Sequence, residues 1–129
     1  MINANVYNIV NVLDRVADAS WIRNEVINNN IANVDTPNYK RKDVQFESYL
    51  LAELAGANSS TLRRAVANVD LDAIKATQYV DSTVLSYRLD GNNVDIDTEN
   101  VELASNQLKY QTMIDSIKNE FSMIKSAMA

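Results

Sequence analysis

The sequence predicts a mainly α fold: long N- and C-terminal helices that pair as a coiled coil, with a short middle region of loop, short helix and a small β-hairpin. Three observations predict it. Tyr110, Ile114, Ile117, Phe121, Ile124 and Met128 recur at spacings of 4, 3, 4, 3 and 4, one unbroken apolar stripe at a coiled-coil period. Val6, Ile9, Val12, Leu13, Val16, Ile22, Val26 and Ile27 trace a second helical stripe near the other end. The 129 residues hold only two Gly and one Pro, too few turn-formers for a many-stranded β-sandwich.

The first helix is expected over residues 4–30. Its stripe is interrupted, because Ser20 and Arg23 stand where apolar residues would continue it. It is rich in Asn, a poor helix former, so its stability must come from packing. Phe46, Tyr49, Leu50 and Leu54 fit a short amphipathic helix capped at Gly56. Residues 57–61 read as loop, and residues 62–78 have weak helical spacing. Val80, Val84, Leu85, Tyr87 and Leu89 read as extended chain entering a tight turn at Asp90-Gly91-Asn92-Asn93, with Val94 and Ile96 as a return strand. Asp95, Asp97, Thr98 and Glu99 supply a cap and acids for the start of the last helix, expected over residues 98–128. Val101, Ala104 and Leu108 carry a stripe on its first turns. At 1.5 Å per residue this helix is about 45 Å long, so its apolar stripe needs a long partner. The organisation expected is residues 1–34 as N-terminal coiled-coil helix, 35–97 as turn motif and middle region, and 98–129 as C-terminal coiled-coil helix, together one domain.

Composition excludes much chemistry. With no Cys and no His there is no disulfide framework, no ordinary zinc or haem site, and no Cys or His nucleophile or base. Two glycines cannot build a dinucleotide or phosphate loop. No cofactor and no small-molecule substrate are expected. The paired acids Asp70/Asp72 and Asp95/Asp97 read as caps and turns, not as a catalytic dyad. A net charge of −5 weighs against a nucleic-acid partner, and Lys40-Arg41-Lys42 and Arg63-Arg64 read as solvated surface. No stretch reaches the length of a membrane span. Residues 1–5 show no basic or apolar leader, which implies a cytoplasmic chain or export without a cleaved signal.

The most specific run is Asn29-Asn30-Ile31-Ala32-Asn33-Val34-Asp35-Thr36-Pro37-Asn38-Tyr39. It is a helix end followed by a fixed turn. Pro37 sets φ and pushes Thr36 out of the helical region. Asn38 falls at the third position of a type II turn, which needs positive φ. Asp35 and Thr36 are placed to bond nearby backbone, and Tyr39 to pack its ring while its hydroxyl stays in water.

This run, with Lys40-Arg41-Lys42-Asp43-Val44-Gln45-Phe46 after it, resembles the N-terminal signature of bacterial flagellar rod and hook proteins, roughly N-N-I-A-N-x-x-T-P-G-Y. The site residues carried over are Asn29, Asn30, Ile31, Ala32, Asn33, Thr36, Pro37, Asn38 and Tyr39. The C-terminal runs Gly91-Asn92-Asn93-Val94-Asp95-Ile96-Asp97, Glu102-Leu103-Ala104 and Asn106-Gln107-Leu108 are similar to those of the short proximal-rod members. The signature has Gly where this chain has Asn38, and Asn tolerates the same left-handed backbone.

The resemblance implies a structural subunit, not an enzyme. Its terminal helices would line the tube of the rod, ordering on assembly. It would pass unfolded through the flagellar type III export apparatus and act in the basal body across the periplasmic or cell-wall space. Its partners would be other copies of itself, adjacent rod subunits, the membrane-ring protein and the rod-base adaptor protein, and it would help transmit torque toward the hook. The alternatives are another axial rod subunit, a type III secretion assembly protein, or a small enzyme resting only on the paired acids.

Overall fold

The computed structural model describes residues 4–57, 60–83 and 88–129, with side chains from residue 7 onward. Helix α1 spans Ala4–Ala32. Strand β1 (Lys42–Gln45), helix α2 (Glu47–Gly56), helix α3 (Leu62–Ala67), a 3-10 turn (Leu71–Ala73) and strand β2 (Thr77–Val80) form the middle. Helix α4 closes the chain over Ile96–Met128. The mainly α fold with two long terminal helices and a small antiparallel sheet is as the sequence predicts.

Four expectations need correction. The sheet is not a hairpin around Gly91. Instead β1 pairs antiparallel with β2, Lys42 opposite Val80 and Gln45 opposite Thr77. Val94 and Ile96 make no return strand, because side chains take the backbone groups a strand would use. Asn92 Oδ1 accepts from the Val94 N–H, and Asp95 Oδ1 from those of Asp97 and Thr98, so the chain turns directly into α4. Val84, Leu85 and Tyr87, with the side chain of Val6, lie outside the described residues. The weak helix over 62–78 is only α3. The amide of Asn8 on α1 donates to the carbonyls of Ala67 and Val69, which fixes the helix exit, and Asp70 then caps the 3-10 turn. Gly56 is not a left-handed cap; α2 runs through it, and the Ala57 N–H bonds back to Glu53 and Leu54 carbonyls.

The fourth correction concerns which face of α4 turns inward. Val101, Ala104 and Leu108 face away from α1 and are exposed, Leu108 by 71%. The buried or half-buried seam is Glu99, Leu103, Asn106, Tyr110, Met113, Ile117, Glu120 and Ile124, spaced 4, 3, 4, 3, 4, 3 and 4. This is the expected coiled-coil period shifted onto a partly polar set. Helix α4 runs antiparallel to α1: Asn106 meets Ser20, and Glu99, one end of the seam, meets Asn30.

The apolar core lies elsewhere. It is built from Val12, Ala19 and Val26 of α1 against Val44, Phe46, Val69 and Ile74, with Tyr49, Leu50 and Leu54 packed at its edge. No residue of α4 belongs to this cluster, and its only fully buried residues are Glu99, Asn106 and Glu120. Helix α1 therefore shares its apolar core with the middle region, while its seam with α4 is mixed, polar at the most buried positions and apolar at the half-buried Leu103, Tyr110, Met113, Ile117 and Ile124. We expect Phe46→Ala to cost about 3–5 kcal/mol in urea unfolding, from lost burial plus cavity. Leu108→Ala should cost under about 0.5 kcal/mol, as exposed changes do. Equal costs would place α4 in the core and contradict this division.

Candidate functional site

The signature run is where α1 ends, the chain turns and the middle begins. Helix α1 stops at Ala32, and the Asn33 and Val34 N–H groups close its last turn onto Asn29, Asn30 and Ile31 carbonyls. The turn forms as Pro37 dictates: the Tyr39 N–H bonds to the Thr36 carbonyl at 3.3 Å, and Asn38 has φ of 61°. Thr36 donates to the side chain of Asn33 rather than to backbone. Asn29, Ala32, Thr36, Pro37 and Asn38 are exposed; Ile31, Asn33 and Tyr39 are half-buried; Asn30 is fully buried.

Asn30 is the hub. Its Nδ2 donates to the Lys42 carbonyl at 2.8 Å and to Glu99 Oε2 at 3.2 Å. Its Oδ1 accepts from the Lys42 N–H at 2.9 Å and from the Tyr39 hydroxyl at 3.2 Å. All four hydrogen-bonding positions of the amide are thus used, at 0% exposure. The Tyr39 hydroxyl is held in this network rather than by water. Burial first, and then the nearby Glu99 carboxylate, push its pKa up.

Within the basic run only Lys42 is exposed surface; Lys40 and Arg41 are half-buried and engaged, contrary to what their composition predicts. Arg41 lies in a channel of acids. Its Nε donates to Glu99 Oε1 at 2.6 Å and its Nη1 to Asp81 Oδ2 at 3.0 Å, with Asp43 at 3.4 Å. Glu99 is 0% exposed, so Arg41 and Asn30 together neutralise and bond a buried carboxylate. Asp81 is held below the usual aspartate range, chiefly by bonds from the Thr83 hydroxyl and N–H and then by Arg41. Lys40 donates its Nζ to the Gly91 carbonyl. Arg23, the interruption in the α1 stripe, forks onto both oxygens of Glu47 and bonds the Val44 carbonyl at 2.8 Å. That hydrogen bond holds the Glu47 carboxyl below its ordinary range.

Two further asparagines lock the second turn to the first. Asn92 donates to the carbonyls of Asn33, Val34 and Thr36 at 2.8–3.0 Å, capping the open end of α1 from across the chain. Asn93 donates to the Asp81 and Thr83 carbonyls and accepts from the Arg41 N–H at 2.6 Å. The Asn38 N–H reaches the Asp90 carbonyl at 2.7 Å, so the two positive-φ residues, Asn38 and Gly91, sit against each other. A Cβ on Gly91 would stand 2.6 Å from Asn38 Oδ1.

Arg41, Glu99, Asn92 and Asn93 are central here, although the sequence places Arg41 on solvated surface, Glu99 among the cap acids and Asn92 and Asn93 in a turn. The available signal was position: Glu99, Asn106 and Glu120 stand on heptad steps where apolar residues belong. Of the C-terminal stripe, Tyr110, Ile114, Ile117 and Ile124 are half-buried, whereas Phe121 and Met128 are exposed by 54% and 70%. The signature and the stripe therefore form two separate regions, joined through α1. Among the described residues there is no cluster fit to hold a metal ion, and no helix is long and apolar enough to cross a membrane.

The segment that builds this hub is also the one that is shared with known proteins. A family profile described as "Flagella basal body rod protein" matches residues 19–40, from Ala19 in the core to Lys40 on the Gly91 carbonyl. The FlgB basal-body rod protein of Bacillus subtilis is 37% identical over 99% of this chain and 95% of its own length. The chain belongs to the FlgB family of flagellar basal-body rod proteins. The FlgB proteins of Borrelia hermsii and Escherichia coli are 37% and 34% identical, over 89% and 76% of this chain and 91% and 76% of theirs. The profile match covers the α1 exit and ends before the second turn around Asn92 and Asn93, which lies within the near full-length likeness to the FlgB proteins.

The hub predicts a double-mutant outcome. Arg41→Met, which leaves Glu99 buried without its cation, should cost about 3–5 kcal/mol. Adding Glu99→Leu should recover most of that. Arg63→Met should cost clearly less, because Glu120 is less deeply buried than Glu99 and its arginine is half-exposed. Urea unfolding measures all three; a loss for Arg41→Met no larger than that for Arg63→Met would contradict the hub.

Proposed function

We propose that this chain is a structural subunit of the proximal rod of the flagellar basal body. One observation supports this beyond family membership: α4 presents Val101, Leu108, Phe121 and Met128 to the outside, while the three most buried positions of its inner seam, Glu99, Asn106 and Glu120, are polar. A helix of this kind is stabilised by neighbours in an assembly more than by its own chain. In this reading the neighbours are other copies, adjacent rod subunits, the membrane-ring protein and the rod-base adaptor protein. Subunits stack helically, each surface meeting a different one on the next copy.

The terminal helices order on assembly to different degrees. Helix α1 already shares the core with the middle region, so α4 is the helix that assembly secures. The hub then fixes the angle at which α4 leaves the middle region, and torque passes through that joint toward the distal rod. Delivery is through the flagellar type III export apparatus, and the role is structural rather than catalytic. The signature residues 29–39 act as the assembly-competent joint; of the C-terminal stripe, Phe121 and Met128 are offered to neighbouring helices, while Tyr110, Ile114, Ile117 and Ile124 are already half-buried in the single chain. Near full-length likeness to FlgB proteins favours this over another axial subunit or a secretion assembly protein.

Phe121→Asp tests the reading. Because Phe121 is exposed in the single chain, the substitution should leave the unfolding midpoint of the purified protein unchanged while abolishing motility and rod assembly, since it buries a charge in the assembled tube. Ile117→Asp should do both, destabilising the chain and blocking assembly. Motile cells with intact rods carrying Phe121→Asp would overturn the proposal.

A further inference from the structure

Between α1 and α4 lies a cavity of about 290 Å3 that the hub does not explain. Ser20, Trp21 and Asn24 of α1 and Asn106, Tyr110 and Gln111 of α4 line it. Two of its wall atoms are buried acceptors without a donor, Asn24 Oδ1 and Asn106 Oδ1. Asn106 is only 3% exposed, and its Nδ2 is committed to the Ser20 carbonyl at 2.7 Å, which fixes the amide with its oxygen unpaired. Trp21 and Tyr110 stand beside these oxygens, their ring centroids 5.9 Å apart and their planes at 49°. Trp21 is half exposed, so the rings form an open rim rather than a sealed core.

Unpaired buried acceptors are costly and ask for a donor. Aromatic faces ask for a cation or a flat group that stacks. One common group satisfies both: a guanidinium, planar, with five donors in a fixed fork and a weakly hydrated charge. An ammonium would satisfy the rings but has no plane to stack and is more strongly hydrated. The net charge of −5 favours a cation over an anion. We infer that this cavity is a binding site for an arginine side chain from a second copy of this chain.

The chain carries a donor suited to that role. Arg64 is exposed on α3, and its guanidinium makes no ion pair or hydrogen bond among the described residues; Arg15 of α1 is likewise unpaired there but half-buried, whereas Arg23, Arg41 and Arg63 are engaged. A surface arginine on one side and an arginine-shaped cavity on another give the head-to-tail complementarity that an open stack requires. The identity of the occupant rests on the self-assembly proposed above; the chemistry of the cavity does not.

The test has two arms. Trp21 is the only tryptophan, so its fluorescence reports on the cavity directly. Titration of the purified chain with N-acetyl-arginine amide should give a saturable change, N-acetyl-lysine amide a weaker one, and the neutral N-acetyl-citrulline amide none. Asn24→Leu, at a half-buried position, should weaken arginine binding about tenfold or more, the effect of losing a charge-assisted hydrogen bond. Leu108→Ala, exposed on α4 and outside the cavity lining, should fold as the parent does and leave that binding intact. An equal response to citrulline, or unchanged binding in Asn24→Leu, would overturn the site. In flagellated cells, a photo-crosslinker at Gln111 should capture the α3 peptide of a second copy, and Arg64→Ala should abolish that capture. Capture of a different segment, or capture unaffected by Arg64→Ala, would overturn the occupant even where the first arm succeeds.

Discussion

The structure depends on one saturated amide. Asn30 sits at the end of α1 with no exposure, and it bonds the strand that follows, the tyrosine after the turn and the carboxylate that opens α4. Each of those partners is itself buried or half-buried, or is backbone. Removing the amide would leave several polar groups unpaired at once, each at about 1–3 kcal/mol. The signature run places this residue two positions before Ala32, the end of α1, and Pro37 then brings Tyr39 back over it. An asparagine-rich helix end that looks weak by propensity is in fact the joint of the molecule.

From this joint follow two interfaces of different physics. Helix α1 packs on the middle region through Val12, Ala19 and Val26, an ordinary apolar core. Helix α4 packs on the same scaffold through Glu99, Asn106 and Glu120, each partnered by a side chain or carbonyl of another element. Buried polar contacts contribute less net stability than apolar ones of similar size, but in coiled coils they fix register. Helix α4 is therefore precisely aligned yet only modestly held. A rod subunit has use for that combination, because the alignment survives into the assembly while the apolar face stays free to be covered there.

Much of this was legible in the sequence, and the illegible parts have identifiable causes. Caps and turn chemistry are local, so the start of α4 at Asp95, the exit of α1 and the positive φ of Asn38 could all be read from residue types. The pairing of β1 with β2 could not. Both strands are four residues long, β2 is exposed throughout, and neither shows the alternation that marks a strand. The face of α4 was misread on its first turns because Val101, Ala104 and Leu108 are apolar and Glu99 and Asn106 are not. Periodicity alone assigns the apolar set to the interior, and only the partners waiting on α1 and at Arg41, just before β1, reverse that choice. The role of Arg41 was hidden for the same reason, since its partner Glu99 lies 58 residues away.

The central claim is that α4 lies outside the apolar core shared by α1 and the middle region, on a seam whose most buried positions are polar, and opens separately from that core. Native-state hydrogen exchange on the purified chain tests it most directly, because it reads the opening free energy of each segment. The account predicts that amides of α4 exchange through an opening that leaves the amides of α1 between Val12 and Ile27 protected. It further predicts that Asn30→Ala lowers α4 protection more than α1 protection. Equal protection of both helices, lost together in one global step and lowered equally by Asn30→Ala, would contradict it.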